Sequence, residues 1–418
     1  MNQTQRSLEA GRFPVRASVG RWARGCVLGI VGITGTGVAV SSFAEPAQVA
    51  GTPAPHHSVE RCRPGPWGDL QVLRIVTEAP TELAECFLKY DAGVWYLQNT
   101  SPESFQQFLK DNDVPEAVRK AIGDATNVDI CGGIVVRPDD ALVLSIPPES
   151  RAVIYKQLGT DPRNYLHTDP FRYDVRRLDE WLDGSGLPAK TVALVHKLVY
   201  RQGNTAMFVD IGPVFRTLTT DDEKLVLLKT LTRKPALLVQ LRVDEKTDAK
   251  ALLDYWGVGP NRRKDISPLI NSLKKVPGGA TLDAAHLLPR FPRKLLYSYP
   301  EPPREGADAP KPYDCHWSSL NFWNDPAQDK FTSAEEVFKA LTTDYDKVAD
   351  KTYRLGDVIM LMRPPASGIH SCVYVADDIV FTKNGASVAS PWTLKRLSDV
   401  IAYYETQGAV EINVYRHK

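Results

Sequence analysis

From Leu355 to Lys383 the chain can be satisfied only by strands laid side by side. Leu355-Gly356-Asp357 turns into an apolar run over 358–362. A loop over 363–368 leads to Ile369-His370-Ser371-Cys372-Val373-Tyr374-Val375. Ala376-Asp377-Asp378 then makes a tight turn, and 379–383 returns as the paired strand. Whatever surrounds this stretch must pack on a small sheet.

The segment most suited to chemistry lies upstream. Tyr313 to Trp323 reads Tyr-Asp-Cys-His-Trp-Ser-Ser-Leu-Asn-Phe-Trp. Trp317, Leu320 and Trp323 recur every three residues, the spacing of one apolar helix stripe. Asp314 is the candidate N-cap and Pro326 the stop. Cys315 therefore falls in the first turn, where the helix dipole and free N–H groups favour thiolate. A nucleophilic thiol needs a base within hydrogen-bond reach, and that base needs an orienting group. His370, at the start of a strand, is the best base in this part of the chain. His316 adjoins the thiol, but neighbouring side chains on a helix point about 100° apart, so it is expected to be poorly placed for the proton. Taken alone, a cysteine such as Cys315 is more commonly a buried structural thiol or a disulfide partner. Cys372 shares a strand face with His370 by alternation.

Around this module the helix–strand order suggests a compact α+β domain over 296–418. Ser333-Ala334-Glu335-Glu336 reads as a capping box opening a helix with Val337, Phe338 and Leu341 inward. Ser390-Pro391 is expected to cap a second helix, with Leu394, Leu397, Val400, Ile401 and Tyr404 on one face. A strand over 411–415 closes the domain. Residues 300–312, with five prolines, read as a linker or long loop before it.

The preceding region, 69–295, reads as a mainly helical domain with a few strands. Strands or buried helix pieces are expected at 70–76 and 93–98. Ser101-Pro102 opens a helix, and another follows Pro115. The runs 131–136 and 141–146 look like a strand pair around Pro138-Asp139-Asp140. Helical patterns cover 148–158, 175–182, 190–200, 249–255 and 268–275. Thr220-Asp221-Asp222-Glu223 is a capping box, and 236–243 is the clearest strand. His167 and His196 read as surface or satisfied core residues.

The 418 residues are 43% hydrophobic and 24% charged, an ordinary globular composition. The net charge of +1 hides an asymmetry: residues 1–44 hold five arginines against Glu9 alone. That basic segment, the apolar run over 26–40 and the small residues at Ser42 and Ala44 read as an export signal. An uncleaved anchor is the alternative. The rest carries 46 basic and 49 acidic residues, a balance that points to no nucleic-acid partner. It contains no further run of the ~18 apolar residues a membrane span needs. Residues 45–68, with five prolines, read as a linker. Five cysteines follow residue 44, so at least one stays free or pairs between chains. Cys62–Cys86 is one candidate bridge.

Asp314-Cys315 at a helix start, Gly356-Asp357-Val358 before a strand and His370 opening a hairpin together resemble the NlpC-type cell-wall peptidases, which are papain-like cysteine peptidases. The resemblance covers roughly 295–418. It implies a papain-like α+β fold, with Cys315 as nucleophile and His370 as base. The family's third polar residue, usually His, Asn or Gln, lies on the strand after the histidine. Simple alignment lands on Thr382; Asn384 has the right chemistry and is favoured, since its carbonyl can accept from the imidazole. The family usually has Ser-Gly after the cysteine, where this chain has His316-Trp317. Its upstream Trp-Gly-Gly element is missing, with Tyr297 or Tyr299 able to supply the tyrosine. Tyr299, His316, Trp317 and Thr382 are the expected substrate contacts.

The expected function is an exported cysteine hydrolase acting on peptidoglycan peptides or related envelope material. It would be periplasmic, envelope-bound or extracellular, with no metal or cofactor required. The alternatives are a non-catalytic exported binding protein that keeps the fold and a thiol-dependent acyltransferase.

Overall fold

A computed structural model describes residues 59–88, 93–130, 132–301, 313–349, 352–364, 367–405 and 408–418. The expected export signal, most of the first proline-rich segment, Cys131 and most of the second proline-rich segment lie outside them. The described chain mixes helices with antiparallel sheets, as an α+β reading requires. No helix among the described residues is long and apolar enough to cross a membrane.

Among the described residues, ten strands precede the cysteine segment. They are β1 (Glu60–Arg61), β2 (Asp69–Thr77), β3 (Trp95–Leu97), β4 (Thr126–Val128), β5 (Ile134–Val136), β6 (Phe171–Asp174), β7 (Tyr200–Gln202), β8 (Thr205–Phe208), β9 (Lys234–Val243) and β10 (Ala280–Asp283). A four-stranded sheet runs β1-β2-β9-β10. Its centre is the nine-residue ladder of β2 on β9, from Asp69 opposite Arg242 to Thr77 opposite Lys234. Leu70 and Val72 are buried at alternate positions of β2, the pattern of a strand with one covered face. Two three-stranded sheets, β3-β5-β4 and β6-β8-β7, sit among the helices.

The end of the expected 45–68 linker belongs to the fold. Glu60 and Arg61 pair with Val72 and Gln71, and the Cys62 N–H donates to the Leu70 carbonyl at 2.9 Å. Proline content signals a break in regular structure but is silent on edge strands, where a missing N–H is tolerated. A second correction concerns 141–146, which is not a strand. Asp140–Ser145 is a helix, and the Asp139 carboxylate caps it by accepting from the Leu142 N–H at 2.8 Å. A short apolar run fits either structure, and here the cap decides. The helix expected at 268–275 begins earlier, at Arg262–Leu273, with Pro268 inside it. The capping box at Thr220 and Glu223 forms as read.

The C-terminal sheet contains β11 (Tyr345–Lys347), β12 (Val358–Arg363), β13 (Ser367–Ala376), β14 (Ile379–Lys383), β15 (Trp392–Arg396) and β16 (Glu411–His417). Their order is β11-β16-β12-β13-β14-β15, antiparallel throughout. Ser390-Pro391 does not start a helix. Trp392, Thr393 and Leu394 continue the sheet on β14, and the helix begins at Leu397–Glu405. Tryptophan and threonine suit a pleated, buried surface, and the open edge of β14 supplies the ladder. In the helix Ala334–Thr343, Val337 and Leu341 are buried as expected, but Phe338 is 70% exposed. The Ser333 side chain makes no capping bond there.

One core crosses the expected boundary between 295 and 296. Leu70, Leu241 and Trp256 pack in the same cluster as Trp317, Phe322 and Phe381. The four-stranded sheet and the cysteine segment thus support each other. Ile359, Cys372, Tyr374, Leu397 and Val400 form a separate cluster on the other side of the C-terminal sheet.

Gly356 and Asp357, read above as part of a family motif, have local structural duties. Gly356 has φ +92°, and a Cβ there would lie 2.3 Å from the Trp323 ring. Only glycine gives both the backbone angle and the room. Asp357 is buried, takes two bonds from the Arg416 guanidinium at 2.8 and 2.7 Å, and accepts the Arg354 N–H at 2.8 Å. The pair fixes the entry into β12.

Candidate active site

Cys315–Leu320 is a helix of six residues, shorter than the stripe through Trp323 suggested. Asp314 is its N-cap as read, accepting the Trp317 N–H at 2.9 Å. Such a short helix has a small dipole. The anchoring comes from side chains. Ser371, on β13, donates to the Cys315 carbonyl at 3.1 Å and lies 3.0 Å from the Ser319 hydroxyl. Trp392 Nε1 donates to Ser318 Oγ at 2.8 Å. The cysteine is thereby fixed against the strand that carries His370.

His370 is 1% exposed, and both ring nitrogens are occupied. Nε2 lies 2.9 Å from Thr382 Oγ1, and Nδ1 lies 3.0 Å from the Tyr404 hydroxyl. The Tyr404 ring stacks on the imidazole, and its hydroxyl donates to Asn384 Oδ1. Since that proton goes to Asn384, the Tyr404 oxygen is left to accept, which puts a proton on His370 Nδ1. Thr382 can donate or accept, so it serves either state of the ring.

Thr382 therefore stands directly on the imidazole and Asn384 does not. Sequence reasoning selects Asn384 as the orienting residue on chemical type; the structure places it one residue removed, behind Tyr404. Tyr404 itself was read only as part of an apolar helix face. Its hydroxyl was the missed signal: a tyrosine on a buried face needs a partner.

His316 corrects a second expectation. It is not turned away from the thiol. Its Nδ1 meets Ser371 Oγ at 3.0 Å, and one of its ring nitrogens lies within 4.8 Å of the Cys315 sulfur. The 100° rule applies to Cβ directions. Here both residues sit in the first turn, and a long imidazole can fold back over it. Burial alone would raise the Cys315 thiol pKa, but the charges of His316 and His370 outweigh it and hold the thiol well below its ordinary value. Burial pulls His316 down, yet the neighbouring thiolate and Asp314 push its pKa up to about 9. The arrangement can hold a thiolate beside an imidazolium at neutral pH. Asp314, Cys315 and His316 also present ligand atoms all within 4.8 Å of one another, a carboxylate–thiolate–imidazole set of the kind zinc accepts.

The remaining expected contacts fare differently. Trp317 is 4% exposed and packs between Tyr313, with ring centroids 3.9 Å apart, and Phe291, at 5.1 Å. It is a core residue. Tyr299 directs its hydroxyl to Thr77 at 3.3 Å and packs against the cluster under the N-terminal helices. Tyr297 donates to the Leu237 carbonyl at 2.5 Å. Cys372 is buried and unpaired, and burial raises its thiol pKa. Cys62 forms no disulfide, so the candidate bridge to Cys86 does not form.

Lys383 stands between Thr382 and Asn384. It is fully buried, donates to the carbonyls of Gly385 and Ser387 at 2.8 and 2.9 Å, and lies over the Trp392 ring. Burial lowers its pKa to about 8, against the pull of Cys315 and Asp314. Its bonds hold the loop that follows β14, which carries Asn384.

A cavity of about 150 Å³ begins at His370, Thr382, Asn384 and Tyr404 and extends between the C-terminal sheet and the preceding region. Cys315, 4% exposed, does not line it.

No family model, curated protein or solved structure matches this chain. Its function must be read from the site alone.

Proposed function

We propose that this chain is an exported cysteine hydrolase that cleaves an amide bond in cell-envelope peptide material, within a papain-like, NlpC-like C-terminal domain. What supports the reading is the electrostatic setting of Cys315: a buried thiol that His316 and His370 hold below its ordinary pKa, His370 itself being held by Thr382 and Tyr404. Buried structural cysteines normally have raised pKa values, as Cys372 illustrates. In the proposed reaction the Cys315 thiolate adds to the amide carbonyl carbon. The backbone N–H of Cys315 helps hold the oxyanion. His370 gives its proton to the departing amine as the C–N bond breaks, leaving a thioester. It then takes a proton from water, whose oxygen adds to the thioester carbonyl; the C–S bond breaks, the carboxylic acid leaves and the Cys315 thiolate is restored.

The test is the pH dependence of iodoacetamide labelling at Cys315, read by mass spectrometry. Labelling that persists well below pH ~8.5, the ordinary thiol value, and that His370→Ala suppresses, is the expected result. Labelling that follows an ordinary thiol titration in both proteins would overturn the reading. Turnover is then sought with envelope peptides, comparing Cys315→Ala.

A second reading has its own support. The low exposure of Cys315 and its absence from the cavity wall suit a protein that binds envelope material without turning it over. Ligand binding in a chain whose Cys315 stays unlabelled would favour it.

A further inference from the structure

The cavity beside His370 is strongly basic, and its charges are not all accounted for. Arg172 pairs with Asp169 at 2.6 Å, and Arg176 pairs with Asp174 and Asp399 at 2.5 and 3.3 Å. Those pairs engage the three carboxylates of its wall, which act on Lys234 and Lys395 only at longer range. Arg177, Lys234 and Lys395 also line it, and none of the three has an ion-pair partner among the described residues. Lys234 donates only to the Arg172 carbonyl, at 3.1 Å. Lys234 stands on β9 and Lys395 on β15, so two different sheets bring their ammonium groups to one space. Burial, helped by Arg172 and Lys395 and opposed by Asp169, depresses Lys234 to a pKa of about 7. A protein gains nothing in stability by converging such cations, because each costs desolvation and repels the others. Clusters of this kind are stabilised when an anion enters.

We propose that this cavity is an oxyanion subsite, which holds a carboxylate or phosphate group of the substrate on the His370 side of the scissile bond. The proposal rests on the hydrolase reading for its role, though not for its binding chemistry. The link to the site is direct: the Tyr404 that bonds His370 also lines the cavity. The volume of about 150 Å³ suits a short acidic side chain or one phosphate group rather than a folded partner. The substrate class this specifies is an acidic amide, with its anion seated on Lys234, Lys395 and Arg177. A neutral analogue would leave Lys234 and Lys395 desolvated with no anion in contact, so the subsite discriminates by penalty as well as by attraction.

Isothermal titration of the full chain with inorganic phosphate and, separately, with glutarate tests the proposal. Saturable one-to-one binding of at least one probe is expected. The better probe tells a phosphate-bearing from a carboxylate-bearing substrate. Lys234→Met with Lys395→Met should weaken binding by about tenfold or more, the worth of a charged hydrogen bond. Arg177→Gln, at a half-buried position that the fold tolerates more easily, should weaken it several-fold and serves if the double variant does not fold. Cys315→Ala should bind as the unaltered chain does. Failure of both probes to bind, or binding unchanged by the cavity variants, would overturn the subsite while leaving the Cys315 labelling result untouched. Binding retained in a chain whose Cys315 proves unreactive would uphold the subsite and remove the hydrolase reading.

Discussion

The His370 imidazole lies face to face with the Tyr404 ring, 4.6 Å between centroids, while the Tyr404 hydroxyl meets its Nδ1 at 3.0 Å. Stacking and a hydrogen bond to one side chain fix both the plane and the tautomer of the ring. Tyr404→Phe keeps the stack and removes the bond. Loss of a hydrogen bond to a charged ring costs roughly 1.5 kcal/mol, about one pH unit. The midpoint of Cys315 labelling should therefore rise by about one unit in Tyr404→Phe. An unchanged midpoint would mean that Thr382 alone sets the state of His370.

The two imidazoles beside Cys315 can be separated by experiment. His316→Gln removes a cation next to the thiolate and leaves the burial that opposes it. The labelling midpoint should move up by about one to two units. The same pair makes stability depend on pH. The folded pKa of His316, about 9, lies above its ordinary 6.5. The stability it contributes is full below pH 6.5 and is lost as pH rises through 9. The depressed thiol contributes in the opposite sense, with stability present above the ordinary thiol pKa and lost as pH falls through the folded one. Urea unfolding of the unaltered chain and His316→Gln at pH 7 and pH 10 should show a gap at pH 7 that narrows at pH 10.

Gly356→Ala should destabilise the chain by about 3 kcal/mol or more, because the new methyl group must adopt a left-handed backbone angle and enter the Trp323 ring. Trp323→Leu in the same chain should return part of that loss, since the clash goes and only the backbone strain stays. Thermal unfolding of the single and double variants gives the comparison. No rescue would show that Trp323 is not what the glycine accommodates.

What the sequence made legible divides along physical lines. The hairpin of β13 and β14, the Asp314 cap and the capping box at Thr220 are local: each depends on residues within a few positions, and each formed as read. The site residues that were missed or misassigned depend on side chains from distant elements. By sequence Trp317 is available to a substrate; in the fold Phe291, Tyr313 and Trp392 pack around it. Asn384 looked like the partner of His370 until Tyr404, from the helix after β15, came between them. Lys234 and Lys395 were unremarkable in sequence, because nothing local shows that β9 and β15 meet.

His167 was read as an ordinary surface or satisfied core residue, and it is only half of that. It packs edge-on against Tyr155, with ring centroids 4.7 Å apart, and against Trp95 at 6.4 Å. Its Nε2 is buried with no hydrogen-bond partner among the described residues. Burial lowers its pKa to about 3, from the ordinary 6.5. Between those values the unfolded chain takes up a proton that the folded chain refuses. Stability must therefore fall as pH drops from 6.5 towards 3. His167→Phe keeps an aromatic ring among the same neighbours and removes the proton site. Comparing urea unfolding at pH 7 and pH 4, the variant should lose less than the unaltered chain by roughly 2–3 kcal/mol. Equal losses in the two proteins would mean that the ring is protonated in the fold, with Nε2 reaching water or a partner through local opening.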